Sequence, residues 1–94
     1  MHVYAILLEI RFPGCTSLKQ KRSRLKPLLH GLHREFNISA AEIDQHDDHR
    51  LSSIACVVVS NESSHAQRVL SKIPDWIESR RPDVQIIDSS IMVR

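Results

Sequence analysis

Glycine, cysteine and aromatic residues are scarce in this chain: two glycines, two cysteines and four aromatics among 94 residues. Each scarcity excludes something. Two isolated glycines make no phosphate-cradling P-loop, and no nucleophile elbow is present. Two lone thiols, Cys15 in a loop and Cys56 inside a strand, make no disulfide framework, which favours a reducing compartment and a cytoplasmic location. The aromatics are Tyr4, Phe12, Phe36 and Trp76, and all fall on apolar stripes or on the more apolar face of a strand. A sheet that stacks nucleic-acid bases needs exposed aromatics, and none is left over. Long apolar runs are also missing: nothing approaches the ~20 residues that span a bilayer. The opening MHVYAILLEIRF has no basic leader and is interrupted by Glu9 and Arg11, which argues against a signal peptide.

What is present is an ordinary globular composition, 41% hydrophobic and 26% charged, so the chain can build a core and is not wholly disordered. Its length suits one domain covering residues 1–94. The net charge of +2 conceals an asymmetry: residues 1–36 hold seven Lys/Arg against two Asp/Glu, and residues 37–94 hold six against nine. Positive charge is gathered in the first third, where it can attract phosphate.

Hydrophobic periodicity predicts a strand from His2 to Phe12, with Tyr4, Ile6, Leu8, Ile10 and Phe12 on one face. Pro13-Gly14 ends it, and Ser17 is a good N-cap for a helix reaching Phe36. On that helix Leu18, Leu25, Leu28, Leu29, Leu32 and Phe36 share one stripe, and Pro27 lies opposite, on the solvent side of a single bent helix. Further strands are expected at Ile38–Asp44 and Leu51–Ser60. A second helix is expected from Asn61–Ser64 to Arg80, with Pro74 as a kink or break, and a last strand over Val84–Val93. The first and third strands are apolar on both faces and belong in the centre of the sheet. Right-handed crossovers then give an α+β, βαββαβ sandwich with antiparallel order 4-1-3-2 and both helices on one face. The other face is left open with Ala5 and Leu7 upon it, and a homodimer or larger assembly is expected to cover it.

Three blocks of sequence resemble one family. Pro13-Gly14-Cys15-Thr16-Ser17-Leu18-Lys19-Gln20-Lys21-Arg22 is similar to the P-x-x-x-S-L-K-x-K-R signature of the DUF503, or YlxP-like, family of small bacterial proteins. Phe36-Asn37-Ile38-Ser39-Ala40-Ala41-Glu42-Ile43-Asp44 resembles its F-N-V-S-x-A-E-V block. Val58-Val59-Ser60-Asn61, followed by His65, resembles its third. The resemblance implies a ferredoxin-like βαββαβ fold and supplies no catalytic mechanism. Family members often lie near translation and ribosome-maturation genes, which implies an RNA or ribosomal partner by association. The chain departs from the family pattern at Asp48-His49-Arg50-Leu51-Ser52, and Pro27 and Pro74 are atypical.

The candidate for function is the flank of the first helix. Lys19, Arg22, Lys26, His30 and His33 recur along one side, Arg34 lies near their edge, and Lys21 and Arg24 stand at the start. Glu35 is the sole acid between Ser17 and Phe36. Such a ridge can track a phosphate backbone, so an accessory factor that docks on RNA or a ribosomal particle is the leading expectation. The bland alternative is a solvated face whose Lys and Arg stems cover the core edge. The functional runner-up is an oligomerising, protein-interaction or regulatory ligand-binding module acting through the open sheet face at Ala5 and Leu7. His46, Asp48 and His49 in the loop after the second strand are weak metal candidates, because their spacing matches no closed structural site. No cofactor is expected. The first strand ends in Arg11-Phe12-Pro13 with no carboxylate, and no catalytic constellation is found, so a binding module is expected rather than an enzyme.

Overall fold

Alternation along β1 (His2–Arg11) decides the layer structure. Tyr4, Ile6, Leu8 and Ile10 are buried, whereas Val3, Ala5, Leu7 and Glu9 between them are half-exposed. One face of the strand therefore carries the core and the other an open surface, as a period of two requires. The computed structural model describes residues 1–94. It continues through α1 (Leu18–Phe36), β2 (Ser39–Asp44), β3 (Leu51–Ser60), α2 (Ser63–Ser71), α3 (Ile73–Arg80) and β4 (Gln85–Val93). β1 pairs antiparallel with β3 from His2↔Ser60 to Arg11↔Leu51, β4 flanks β1, and β2 flanks β3. The resulting order β2-β3-β1-β4 is the expected 4-1-3-2 read from the other edge. Leu25, Leu28 and Leu32 of α1 join Ala66, Leu70, Ile73 and Ile77 of α2 and α3 in one cluster with the buried face of β1. The helices thus cover a single face of the sheet, and the fold is ferredoxin-like.

Of the two outcomes expected at Pro74, a kink or a break, the helix takes the break. The second helix is not continuous to Arg80: α2 stops at Ser71, and α3 restarts at Ile73 with Pro74 in its first turn. Proline is accommodated there because first-turn amides have no intrahelical partner. Pro27, by contrast, sits inside an uninterrupted α1 with its ring exposed. The expected tolerance on the solvent side holds. No helix is long and apolar enough to cross a membrane.

α1 forms despite poor material. An interior proline costs about 3 kcal/mol and an interior glycine about 1, and α1 contains both Pro27 and Gly31. Its start is well made: the Ser17 hydroxyl accepts the Gln20 amide at 3.1 Å, and Gln20 Oε1 accepts the Thr16 amide at 2.8 Å and the Thr16 hydroxyl at 3.1 Å. Asn37 closes the other end in the left-handed region at φ 52°, a conformation asparagine tolerates. Gly31 is required by its neighbour: a β-carbon there would lie 2.8 Å from Cη2 of Trp76. Trp76 also packs edge-on to Phe36, with ring centroids 5.8 Å apart, and its indole N–H is buried without an acceptor.

This contact reverses an ordinary rule. Gly→Ala inside a helix usually stabilises by about 1 kcal/mol, but overpacking costs about 1–3 kcal/mol. Gly31→Ala is expected to lower the urea midpoint, and in a Trp76→Phe background the same change is expected to be neutral or stabilising. A higher midpoint for the single variant would contradict the tight contact.

Candidate functional site

The basic side chains of α1 divide into two populations. Lys19, Arg22, Lys26, His30, His33 and Arg34 are exposed, whereas Lys21 is 2% exposed. The expectation that Lys21 contacts phosphate is therefore corrected. Its Nζ donates to the carbonyl oxygens of Gln45 (2.7 Å), Asp48 (2.6 Å) and Leu51 (2.8 Å) and lies 2.8 Å from Glu42 Oε2. An ammonium has three hydrogens, so four acceptors already exceed its donors and none is left for a ligand. The spacing carried the signal: Leu18, Lys21, Leu25, Leu28 and Leu32 alternate steps of three and four. That pattern places Lys21 in the middle of the apolar stripe.

Glu42, on β2, is the counter-charge. It accepts the Ser52 hydroxyl at 2.6 Å and has His46 Nε2 3.9 Å away. Burial alone would raise its carboxyl. The hydrogen bonds from Lys21 and Ser52, with the charges of Lys21 and His46, outweigh burial and leave it below its ordinary 4.5.

The same cluster organises the loop 45–50. Asp48 Oδ1 accepts the Arg50 amide at 2.8 Å, and Gln45 adopts φ 64°. The metal candidates do not converge: His46 is directed to Glu42, Asp48 turns to its own loop, and no three His, Cys, Asp or Glu side chains are grouped to hold an ion.

The exposed cations form a continuous strip. Arg22, Lys26, His30 and Arg34 follow one another at four-residue steps, about 6 Å of helix rise each. With Ser23, Pro27 and Arg81, which follows α3, they line a groove that contains no carboxylate. Arg81 was not foreseen, because it reaches the site through the tertiary fold. A second groove, between α1 and edge strand β2, shares His30 and Arg34 and adds Leu29, His33, Asn37, Ser39 and Ala40. His33 Nδ1 lies 2.6 Å from the Ile38 carbonyl. A carbonyl only accepts, so Nδ1 is the donor in this bond. The ion pairs in the molecule involve Lys21, Arg24 and His46, so Lys19, Arg22, Lys26, Arg34 and Arg81 have no carboxylate within 4.0 Å. Arg24 belongs elsewhere: it donates to the Pro13 carbonyl at 2.7 Å and lies 4.0 Å from Asp83.

The remaining reactive groups are quiet. Cys56 is fully buried, and burial pushes its thiol up to about 12. Cys15 is buried and its Sγ–H donates to the Ser17 carbonyl at 3.4 Å. On the open sheet face the Ser53 hydroxyl donates to both Glu9 oxygens, at 2.8 and 2.7 Å, while Ala5 and Leu7 are half-exposed beside Val57 and Ala55. Tyr4 and Phe12 are buried, and Phe36 and Trp76 pack on the core and on each other. No aromatic platform faces solvent.

Removing Lys21 strands Glu42 and three carbonyls. Lys21→Met is expected to destabilise the protein by about 3–5 kcal/mol and to erase hydrogen-exchange protection in residues 45–51. Lys19→Met should stay within ~0.5 kcal/mol of the parent. Equal losses would show that Lys21 is not structural. The pH dependence follows in sign. Because the folded-state value of Glu42 is depressed, its contribution is complete above the unfolded value near 4.5 and is lost as pH falls through the folded one. The stability gap between parent and Glu42→Gln is therefore expected at neutral pH and should shrink as pH falls below 4.5 and through the depressed folded value. A gap that widens there would contradict the assignment.

Comparison with known proteins gives four likenesses. A family model described as "Protein of unknown function (DUF503)" matches residues 3–91. The chain is 32% identical over 63 residues to the "Uncharacterized protein YlxP" of Bacillus subtilis (strain 168), covering 67% of this chain and 68% of that one. Among solved structures, a de novo designed protein with ferredoxin fold superposes with a TM-score of 0.56 at 15% identity, covering all of this chain and 86% of its own. A putative antibiotic biosynthesis monooxygenase from Chloroflexus aurantiacus superposes at 0.52 and 22% identity, over 98% of this chain and 92% of that one. At such identities the structural likenesses speak for the fold alone.

Proposed function

The chain belongs to the DUF503 family, whose function is unknown, and we propose that it is a cytoplasmic binding module that engages the phosphate backbone of RNA, free or in a ribosomal particle, through α1. One observation carries the reading: Arg22, Lys26, His30, Arg34 and Arg81 line a groove with no carboxylate in its wall. Cations left without partners on a protein surface are costly to gather, and a polyanion offsets that repulsion while releasing its own counterions. The four-residue repeat suits successive phosphates of one strand. The buried aromatics remove base stacking, so contact is made to backbone and shape with little sequence preference.

Four to five cations on phosphates should give a log-affinity slope against log salt of about −3 to −4.5. Fluorescence anisotropy with a labelled structured RNA and co-sedimentation with ribosomal subunits, each across a salt series, measure it. The triple variant Arg22→Glu, Lys26→Glu, Arg34→Glu is expected to abolish binding with an unchanged circular dichroism spectrum. Single alanines in the groove should each reduce the slope by about 1. A flat salt response, or retained affinity in the folded triple variant, would sink the reading.

A further inference from the structure

We propose that the open face of the sheet is a twofold interface, closed by the same face of a second copy of this chain. Val59 and Met92 are 58% and 38% exposed on this face, and the side chains are arranged to complement themselves. The strand register divides the face into rows. Val59, Val3 and Arg94 form one row; Val3 and Arg94 exchange two backbone hydrogen bonds of 3.0 and 2.7 Å, so they are directly opposed and share a face. The row of Ala5 continues to Val57 and Met92, and the row of Leu7 to Ala55 and Ser90. In the next row Asp44, Ser53, Glu9 and Asp88 stand together, and beyond it come Leu51, Arg11 and Gln85. The face thus has the cation Arg94 at one end, the carboxylates Asp44, Glu9 and Asp88 with Arg11 in the row beyond them at the other, and an uncharged middle.

A twofold axis lying between the sheets, perpendicular to the strands and level with Ile6 and its partner Ile91, exchanges these rows. Each strand then runs over its own copy in the opposite direction. Asp88 of each chain falls over Arg94 of its mate, which occurs twice per dimer. Leu7 falls over Ala5, Val57 over Ala55 and Met92 over Ser90, so in the two central rows each large side chain meets a small one, as interdigitated layers require, while in the outer rows Val59 falls over Ser53 and Glu9 over Val3, beside the Arg94 of the mate. The like charges Glu9 and Asp88 are opposed across β1 and β4 and repel one another, and the incoming guanidinium adds to the positive charge that Arg11 supplies from the row beyond. Strands of ten, ten, nine and six residues, spaced about 4.8 Å with a rise of about 3.3 Å per residue, present roughly 550 Å² in plan before side-chain relief, against the ~800 Å² per partner of stable complexes. An unrelated partner has no reason to match large to small and charge to charge about one axis; a second copy does. The inference does not depend on the RNA reading, since α1 lies on the other side of the sheet.

Sedimentation velocity and light scattering test it on the full chain. The parent is expected at twice its 10.8 kDa. Asp88→Arg and Arg94→Asp should each weaken the dimer about tenfold, and the two together should restore it. Leu7→Asp should give a monomer with an unchanged circular dichroism spectrum. If Leu7→Asp fails to fold, the charge exchange still decides. A monomeric parent, a dimer indifferent to folded Leu7→Asp, or charge variants that do not rescue one another would each overturn the proposal.

Discussion

The position of α1 over the sheet depends on one buried ammonium group. Lys21 sits in the first turns of the helix and holds the β2–β3 connection by three of its carbonyls and by Glu42 at its edge. Taking a charge out of water costs several kcal/mol and is recovered only where geometry and remaining hydrogen bonds are complete. Here they are, so the lysine fixes two remote segments against each other. The strip of exposed cations on the same helix inherits its orientation from that attachment.

α1 accordingly works on two sides. Its inner side carries leucines and Lys21, and Gly31 lets the Trp76 ring approach. Its outer side carries Pro27 and the exposed cations. With proline and glycine both inside it, the helix owes its existence to the Ser17 cap and to tertiary packing more than to intrinsic propensity. A residue on this helix is understood only when its side is known: Lys19 and Lys21 are two positions apart and have opposite fates.

Much of the fold was legible in the sequence because it rests on local periodicity. The limits of β3, the Ser17 cap, the strand order and the open face all follow from patterns of two and of three to four residues. Elsewhere the residue type misled. Lys21 has apolar-stripe spacing, but lysine reads as surface until the waiting carbonyls are seen. Pro74 was ambiguous because a proline can kink a helix or start one, and packing of Ile73 and Ile77 on the core decides for a restart. Arg81 entered the basic groove from a distant point in the chain, which no local pattern reports. The register shifts at Glu42/Asp44 and Glu9/Ile10 are likewise products of sheet geometry.

The clasp on the β2–β3 loop is made to main-chain oxygens of Gln45, Asp48 and Leu51. Every amino acid supplies such an oxygen, so the anchor is indifferent to what those residues are. Substitutions at Gln45, Asp48 or Leu51 can therefore leave those three hydrogen bonds in place. The grip thus asks one thing of the hairpin, the course of its main chain, and one thing of the helix, the ammonium group of Lys21.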